Sequence, residues 1–372
     1  MTQNEKIKLD VHGRLHWAFS CVSQPYFFGE MRRSPSQAGT ARSRRAQNNQ
    51  NVADVLANSF KHVCKVEYNH AVDRDILYQL RMGVLRIDVD ACTVHELQIF
   101  KGFFSRLPRI QQLCVAKGQV PMKPEHPIPR PTYRSLRGSR ESTNIRQTRA
   151  NAVKKASQGI LHLIAKLLRT PRHCQLVSLA LPGLTLTEST IASFEEGFRA
   201  CNSLRELDLR EQDLSRPSVA ERVLRAVTAS SSVQALCIKR CRITSRSARY
   251  IAYVLRANNE RRDQLIWKGE LRGEPVSKKA IRQHGLLVLD ASENQLQYEG
   301  VREVLDVLEN DQWMIGLNIA NNGDVSDAIT RERFASCFKV NSTCLFAMVL
   351  EQIFLSLTFA VVTCRNSCGV TL

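Results

Sequence analysis

The chain has 372 residues, of which 43% are hydrophobic, enough for a sizeable core in one long domain or two short ones. Lys and Arg number 53 against 35 Asp and Glu, and the resulting formal net charge of +18 indicates attraction to acidic partners. The 12 cysteines are scattered through too long a chain for a disulfide-stapled mini-domain. The polar start MTQNEKIKLD is unlike a signal peptide, so we expect a cytosolic-side location with free thiols.

The first 52 residues predict a disordered, basic N-terminal segment. Residues 31–46 hold five Arg and no acidic residue, but they lack the interleaved aromatics of a single-strand nucleic-acid binder. Residues 53–82 are expected to be helical and to cap the open end of the fold that follows.

A repeated pattern organises the rest of the chain: Leu-x-x-Leu-x-Leu-x-x-(Asn or Cys)-x-Leu, with other aliphatic residues allowed. The best copies follow one another after 28 or 29 residues. Alternation in each copy places Leu207 and Leu209, for example, on one face of a short strand. The copies begin at Val84, Ile110, Leu176, Leu204, Val233, Leu286, Met314 and Leu345.

Helical stretches separate the strands, at 188–201, 217–229 and 298–310. In the last of these, apolar residues recur at the spacing of one helix face. Units of one strand and one helix at this length are typical of long, ribonuclease-inhibitor-like leucine-rich repeats. The sequence therefore predicts an α/β solenoid over 53–350, with parallel strands on its concave side and helices on its convex side.

The Asn or Cys position of this repeat normally turns inward, where its side chain bonds the backbone of the loop after the strand. Cys92, Cys241, Asn294 and Asn322 occupy it in four copies. Cys237 and Cys241 have the spacing of a metal pair, but the repeat places the first on the solvent face and the second in the turn. We therefore expect no metal and no cofactor.

Two inserts interrupt the repeat. The first, 121–147, is rich in proline and arginine and predicts an extended basic loop before a helix over 151–168. The second, 259–285, predicts a convex-side helix that runs on through 260–267 and ends near Gly273. Trp267 in this stretch has two interpretations: local core against the neighbouring helix, or an exposed anchor for a partner.

The most apolar run, 344–364, has nearly the length of a membrane span. Glu351 and Gln352 near its centre would be costly in hydrocarbon, and the repeat pattern fits as far as Leu350. A last repeat is therefore favoured over a membrane span. The atypical apolar tail 351–372 indicates either a fragment or a gene model that runs into non-coding sequence.

The sequence offers little to support catalysis. It contains no P-loop, no G-x-G-x-x-G, no G-x-S-x-G and no H-E-x-x-H, and its nine His are scattered. Glu206 and Asp208 flank Leu207 on a solvent-facing strand, with no apolar pocket expected to tune them. We predict a protein-binding, non-enzymatic chain, with exposed concave-face positions at Ser178, Asp208, Arg210, Lys239, Asp290 and Asn318. Of these, Ser178 is expected only to be exposed, and the other five are candidate partner contacts.

The second insert carries a more specific signal. An Arg pair follows the repeat helix, then come a Trp, a Leu-Arg pair, a variable linker and a Gly-Leu that opens the next strand; a short acidic-Trp link precedes the strand after that. This order resembles the centrosomal protein of 78 kDa family, leucine-rich-repeat proteins of centrioles and ciliary basal bodies. The resemblance covers roughly 55–350. The residues are Arg261, Arg262, Trp267, Leu271, Arg272, Gly285, Leu286, Asp311 and Trp313.

The resemblance implies a cytoplasmic, cytoskeletal scaffold at the centriole or basal body. Such a scaffold would support cilium assembly or regulate a centrosomal ubiquitin ligase, with centriolar or ligase components as protein partners. Arg261, Arg262 and Trp267 become candidate partner contacts on this basis. The family continues into a partly coiled-coil C-terminal region that this chain lacks, and the roles of that region are not carried over.

Two other classes stay open. One is a regulatory leucine-rich-repeat protein of the GTPase-activating type, although such proteins usually have an acidic tail and this chain is basic. The other is a nucleic-acid or membrane-surface binder acting through 31–46 and 121–155, whose affinity would fall steeply with salt. We regard nucleic acid and membrane as the less favoured partners.

Overall fold

The computed structural model describes residues 54–117, 143–172, 174–323 and 332–333. The segment 1–52, most of the first insert, the repeat copy at Leu345 and the apolar tail lie outside these residues. Within the described part the fold is α/β, with a sheet of seven parallel strands and with helices between consecutive strands. No described helix is long and apolar enough to cross a membrane.

The strands follow one another across the sheet in the order of the sequence, each hydrogen-bonded to the next. This order is the one a repeating strand-and-helix chain produces when each unit stacks on its predecessor. The strands are β1 Val84–Asp88, β2 Gln112–Ala116, β3 Ser178–Ala180, β4 Glu206–Asp208, β5 Ala235–Cys237, β6 Val288–Asp290 and β7 Gly316–Asn318.

The helices pack on one another in chain order, and most begin at a recognisable cap. Thr93 and Thr187 form capping boxes at the starts of two of them, and Pro217 occupies the first turn of a third. They are α1 54–62, extended by a π-helical turn at Val63–Glu67, α2 Arg74–Arg81, α3 Val94–Ser105, α4 Thr143–Leu168, α5 Glu188–Ala200, α6 Pro217–Thr228, α7 Ser245–Leu271, α8 Lys278–Ile281 and α9 Gln297–Leu308.

A ladder of seven leucines fixes the register of the sheet. Each strand contributes one leucine that pairs directly with the leucine of its neighbour, and all seven side chains are at most 3% exposed. Because a slip of one residue would turn every leucine to the open side of the sheet, burial of this row holds the strands in register. The leucines are Leu85, Leu113, Leu179, Leu207, Leu236, Leu289 and Leu317.

The first strand differs from its sequence-based phase by two residues. The repeat starting at Val84 placed Ile87 at the position of Leu113, whereas the sheet pairs Leu113 with Leu85. Both phases bury the same strand face because side chains alternate with a period of two, so the pattern alone did not distinguish them. Cys92 consequently does not occupy the inward Asn or Cys position, as the sequence predicted, and lies two residues beyond it.

Side chains in the turns form hydrogen bonds with the backbone of the preceding unit. Asn294 accepts from the backbone N–H of Cys241 at 2.9 Å and donates to the carbonyl of Ile238 at 2.9 Å. Asn322 donates in the same way to the carbonyl of Ala291 at 3.0 Å. The predicted inward turn of this position is thus confirmed for Asn294 and Asn322, and Cys241 donates its thiol to the Leu209 carbonyl.

The predicted N-terminal helices are present and cover the first units. Phe60 of α1 is 2% exposed, stacks on Phe100 with ring centroids 5.8 Å apart, and meets Phe103 edge-on at 5.3 Å. This aromatic cluster closes the apolar side of the first strand-helix unit.

Helix α4 begins earlier than the sequence predicted. It starts at Thr143, whereas the expected loop extended to 147 and the expected helix began at 151. The last proline of the insert is Pro131, so the residues just before 151 carry no helix breaker. The predicted helices over 188–201, 217–229 and 298–310 are confirmed to within two residues at each end.

Candidate functional site

The open face of the sheet is the first candidate surface. The residues on either side of each ladder leucine point away from the helices, and they form two rows across the seven strands. In the middle of the sheet these rows bring Asp208, Cys237 and Asp290 side by side on β4, β5 and β6. Three of the predicted candidates, Asp208, Asp290 and Asn318, therefore lie in one row of this face.

Asp208 and Arg210 form an ion pair on this face and are half-buried. The Arg210 Nε donates to Asp208 Oδ2 at 2.7 Å, and the Arg210 backbone N–H donates to Oδ1 at 3.0 Å. On the next unit Lys239 Nζ lies 2.6 Å from Glu293 Oε1. Both cations are paired with neighbouring carboxylates, so neither is a free charge. Each side chain is still partly exposed and could contact a partner.

Asp290 was predicted to be exposed, and that expectation is wrong: it is only 3% exposed. It stands between Cys237 and Asn318 of the flanking strands, and its carboxylate turns back onto its own turn instead of toward solvent. Its Oδ1 accepts from the Ser292 hydroxyl at 2.7 Å and from the Ser292 N–H at 3.0 Å. Burial raises the pKa of the Asp290 carboxyl, and these hydrogen bonds oppose the rise. Asn318, by contrast, is half-buried and accepts from the Ala320 N–H at 3.1 Å.

Cys237 also differs from its expected place at the solvent surface. It is 3% exposed, with its Sγ 3.9 Å from Asp290 Oδ2, and burial raises the pKa of its thiol well above the usual value. Cys241 lies in the turn, as predicted, with its Sγ 3.1 Å from the Leu209 carbonyl oxygen. Within the described ranges no group of three His, Cys, Asp or Glu side chains is placed to hold a metal ion.

Glu206 is the residue of this face that sequence reasoning missed. It was expected at a solvent-facing strand end, yet it is 8% exposed, and burial raises the pKa of its carboxyl to about 7 against a hydrogen bond from Ser178. Its Oε1 has no hydrogen-bond partner among the described residues. The sequence feature that could have indicated this burial is the pair of small strand neighbours, Ser178 and Ala235. Beside them the Glu206 side chain is poorly solvated.

The second candidate surface is the 259–285 insert, which forms the second half of α7 and the segment after it. Helix α7 runs without a break from Ser245 to Leu271, as the sequence predicted. Gly273 follows its C-cap residue, and its φ of +67° suits glycine. Trp267 is 60% exposed and Leu271, one turn further on, is 67% exposed. The interpretation of Trp267 as local core against the neighbouring helix is therefore wrong.

Arg262 was a candidate partner contact, and its position contradicts that role because it is 0% exposed. Its Nε donates to the His284 carbonyl at 2.8 Å, and its Nη2 donates to the Leu286 carbonyl at 2.6 Å. Burial lowers the pKa of this guanidinium to about 10, and the nearby charge of Asp311 opposes the fall. A fully buried guanidinium that bonds two backbone carbonyls fixes the path of its own chain.

Arg261 likewise turns toward its own chain, although it is only half-buried. Its guanidinium donates to the Thr228 carbonyl at 2.6 Å and to the Ser230 carbonyl at 2.9 Å, which ties α7 to the end of α6. Of the three insert residues proposed as partner contacts, Trp267 alone presents a large, free apolar surface.

Gly285 lies where the chain comes back from the insert to the sheet, in close contact with Asn258. Its φ is +81°, and a Cβ there would come within 2.5 Å of Asn258 Oδ1. That same oxygen accepts from the Leu286 N–H at 3.2 Å. The ring of Trp313 completes the cluster, with its centroid 5.9 Å from the Arg262 guanidinium carbon. We call Asn258, Arg262, Gly285, Leu286, Asp311 and Trp313 the insert clamp.

Comparison with known proteins adds no relative to this picture. A scan against protein-family models finds no match, and a search of curated proteins finds none either.

Proposed function

We propose that this chain is a leucine-rich-repeat solenoid that serves as a non-enzymatic, protein-binding scaffold at the centriole or ciliary basal body. The leucine-rich-repeat assignment is supported by the sequential parallel strands, by the seven-leucine ladder and by the inward-turned Asn294 and Asn322. These are the features expected when a strand, a turn and a helix recur every 28 or 29 residues.

The single observation that carries the centriolar proposal is the insert clamp. The residues that give the sequence its resemblance to the centriolar family are separated by up to 52 positions, from Arg261 to Trp313. In the fold the Arg262 guanidinium bonds the Leu286 carbonyl at 2.6 Å and faces the Trp313 ring. Five of the nine resemblance residues are scattered in sequence but meet in the clamp, and such a meeting is harder to obtain by chance than the repeat positions.

Within this proposal Trp267 is the anchor for the protein partner. It stands on the outer end of α7 with Leu271 beside it, and the clamp holds the helix that carries it. Large aromatic side chains on a rigid element supply much of the affinity at protein interfaces. The partner belongs to the centriolar or ubiquitin-ligase components, and the location is cytoplasmic and cytoskeletal.

The test replaces Trp267 with Ala in the full-length, tagged chain expressed in ciliated cells. We expect the wild-type chain to co-localise with a basal-body marker and Trp267→Ala to lose that enrichment, because the anchor is removed. The purified variant should keep its circular dichroism spectrum and its melting temperature within about 2 °C, since an exposed side chain contributes little to folding.

Tyr298→Ala is the matched control, because Tyr298 is an exposed aromatic on a neighbouring helix, α9, at 38% exposure. It should localise like the wild type. Diffuse cytosolic signal from the intact wild-type chain would count against the centriolar proposal as a whole, whereas unfolding of Trp267→Ala would count against Trp267 as an anchor.

A further inference from the structure

Two cysteines from neighbouring units meet at the helix-to-strand turns before β3 and β4. Cys174 lies in the turn after α4, and Cys201 is the C-cap residue of α5. Their sulfur atoms are 3.7 Å apart, both residues are free thiols, and they are 7% and 1% exposed. A disulfide bond is about 2.05 Å long, so the two sulfurs need to approach by less than the length of one bond.

Ser203 completes the surroundings of the two sulfurs. Its Oγ lies 3.5 Å from Cys201 Sγ and 3.7 Å from Cys174 Sγ, and it donates to the Leu176 carbonyl at 2.9 Å. The hydrogen bond from the Cys174 thiol is the main reason that the pKa of Cys201 is lowered, with help from the backbone N–H groups of Ser203 and Leu204. The same contact raises the pKa of Cys174. We therefore assign Cys201 as the sulfur that gives up its proton first, with Cys174 as its hydrogen-bond donor.

We propose that Cys174 and Cys201 form an oxidative modification site that a peroxide converts into a disulfide. The Cys201 thiolate attacks one oxygen of hydrogen peroxide, the O–O bond breaks, and Cys201 becomes a sulfenic acid while the leaving hydroxide takes up a proton as water. The Cys174 sulfur then attacks the Cys201 sulfur, the S–O bond breaks, and a second water leaves. Two thiols and one peroxide thus give one disulfide and two waters, with peroxide as the two-electron oxidant.

The residues that flank the pair in sequence lie at the surface. Pro171 and Arg172 precede Cys174, Asn202 follows Cys201, and all three are exposed. A local opening of either turn, without separation of the strands, brings the sulfurs to solvent. A typical buried structural cysteine has no second thiol nearby, whereas here the second sulfur is already in contact.

The disulfide has a structural consequence. It joins residues 27 positions apart that belong to consecutive units, at the ends of the packed helices α4 and α5. A cross-link of this kind restricts the unfolded chain and locks the two units together. In the reducing compartment expected from the sequence such a bond is a transient modification and not a permanent staple.

The experiment is a non-reducing tryptic map of the full chain after treatment with hydrogen peroxide and blocking of the remaining thiols. Cleavage after Arg172, Arg199 and Arg205 places Cys174 in a peptide of residues 173–199 and Cys201 in a peptide of residues 200–205, with no other cysteine in either. We expect these two peptides to appear as one linked species, lighter by about 2 Da than their sum. Reduction should separate them.

Cys174→Ser tests the order of the steps. Without its partner, Cys201 should accumulate as a sulfenic acid that a dimedone-type reagent traps on the 200–205 peptide, whereas the wild type should show little trapping. Cys114 and Cys237 are the matched controls: they are buried thiols three strands apart, about 14 Å, and should stay unlinked.

Three results would overturn the inference. The wild-type map needs no variant to fold, and recovery of both peptides fully blocked as free thiols after oxidation would reject the site. Linkage of either peptide to a different cysteine would assign the chemistry elsewhere. Trapping on Cys174 in Cys201→Ser, with none on Cys201 in Cys174→Ser, would reverse the roles of the two sulfurs.

Discussion

Glu206 shows how a single residue can respond to its neighbours more than to its own position in the pattern. The repeat places it on the open side of β4, where most positions are polar and wet. Ser178 and Ala235 on the flanking strands leave it buried, with a carboxyl whose pKa is raised to about 7. The folded state therefore prefers the protonated form near neutral pH, whereas the unfolded chain releases the proton near its usual pKa of 4.5.

The sign of the effect follows from this difference. Below the unfolded pKa of 4.5 both states hold the proton and Glu206 costs nothing. Between pH 4.5 and about 7 the unfolded chain releases the proton while the folded state keeps it, so the folded state loses stability over this range, and the loss is complete once the folded carboxyl ionises too. We expect the free energy of unfolding of the wild type to fall by about 1–3 kcal/mol between pH 5 and pH 8 relative to Glu206→Gln, which carries no proton to lose. Urea titrations of the two proteins at both pH values measure this directly.

Glu270→Gln is the control for this prediction, since Glu270 is an exposed carboxylate on α7. Its unfolding curves should follow those of the wild type at both pH values. Equal pH dependence of Glu206→Gln and the wild type would show that the Glu206 carboxyl is solvated in the folded state.

Helix α7 is the element that departs most from the repeat, and the insert clamp explains how it is tolerated. The helix continues for about three and a half turns past Asn258, and the chain must then return to the start of β6. Arg262 holds both arms, because it lies on the helix and bonds carbonyls at His284 and Leu286. The buried guanidinium thus replaces the backbone partners that a regular repeat turn would supply.

Replacement of Arg262 should therefore destabilise the protein strongly. Arg262→Met keeps a similar length but leaves two buried carbonyls without a donor, and we expect a loss of about 2–4 kcal/mol in the free energy of unfolding. Chemical denaturation followed by circular dichroism is the measurement. Arg256→Met, on an exposed position of the same helix, should change the free energy by less than about 0.5 kcal/mol; similar losses for the two variants would remove the special role of Arg262.

Much of this architecture could be predicted from the sequence, and particular residues show why the rest could not. The strands around Leu207 or Leu289 follow from a pattern that recurs at a fixed interval, so local periodicity and long-range pairing agree. Burial of Asp290, Glu206 and Arg262 depends on which side chains stand on adjacent strands or on the far arm of an insert. That information is non-local, and no repeat template contains it. The exposed position of Trp267 was one of two open alternatives for the same reason.

At the scale of the whole molecule, stability is distributed along the stack. Each unit contacts its neighbours through the leucine ladder, through helix packing and through turn side chains such as Asn294. In such an arrangement the interfaces between units, and not one central core, decide how cooperatively the chain unfolds.

Asn294→Ala should test that coupling. The side chain exchanges hydrogen bonds with Ile238, Cys241 and Ile243 of the preceding unit and with its own turn, all of them buried. We expect a loss of about 2–4 kcal/mol and faster amide hydrogen exchange in both β5 and β6, with β1 unaffected. Gln295→Ala, next to it and exposed, is the control; a uniform increase in exchange over all strands would contradict a stack of locally coupled units.

The unbroken register across the second insert has a practical consequence. Leu236 and Leu289 pair directly although 53 residues separate them, and Gly273 at the outer end of the insert has nothing within 4 Å of the place where a Cβ would stand. Sequence length is thus decoupled from strand spacing at this point of the chain. A fluorescent or affinity module inserted at Gly273 would lie on the protein surface and leave β5 and β6 paired. This bend is therefore a suitable insertion site for a probe.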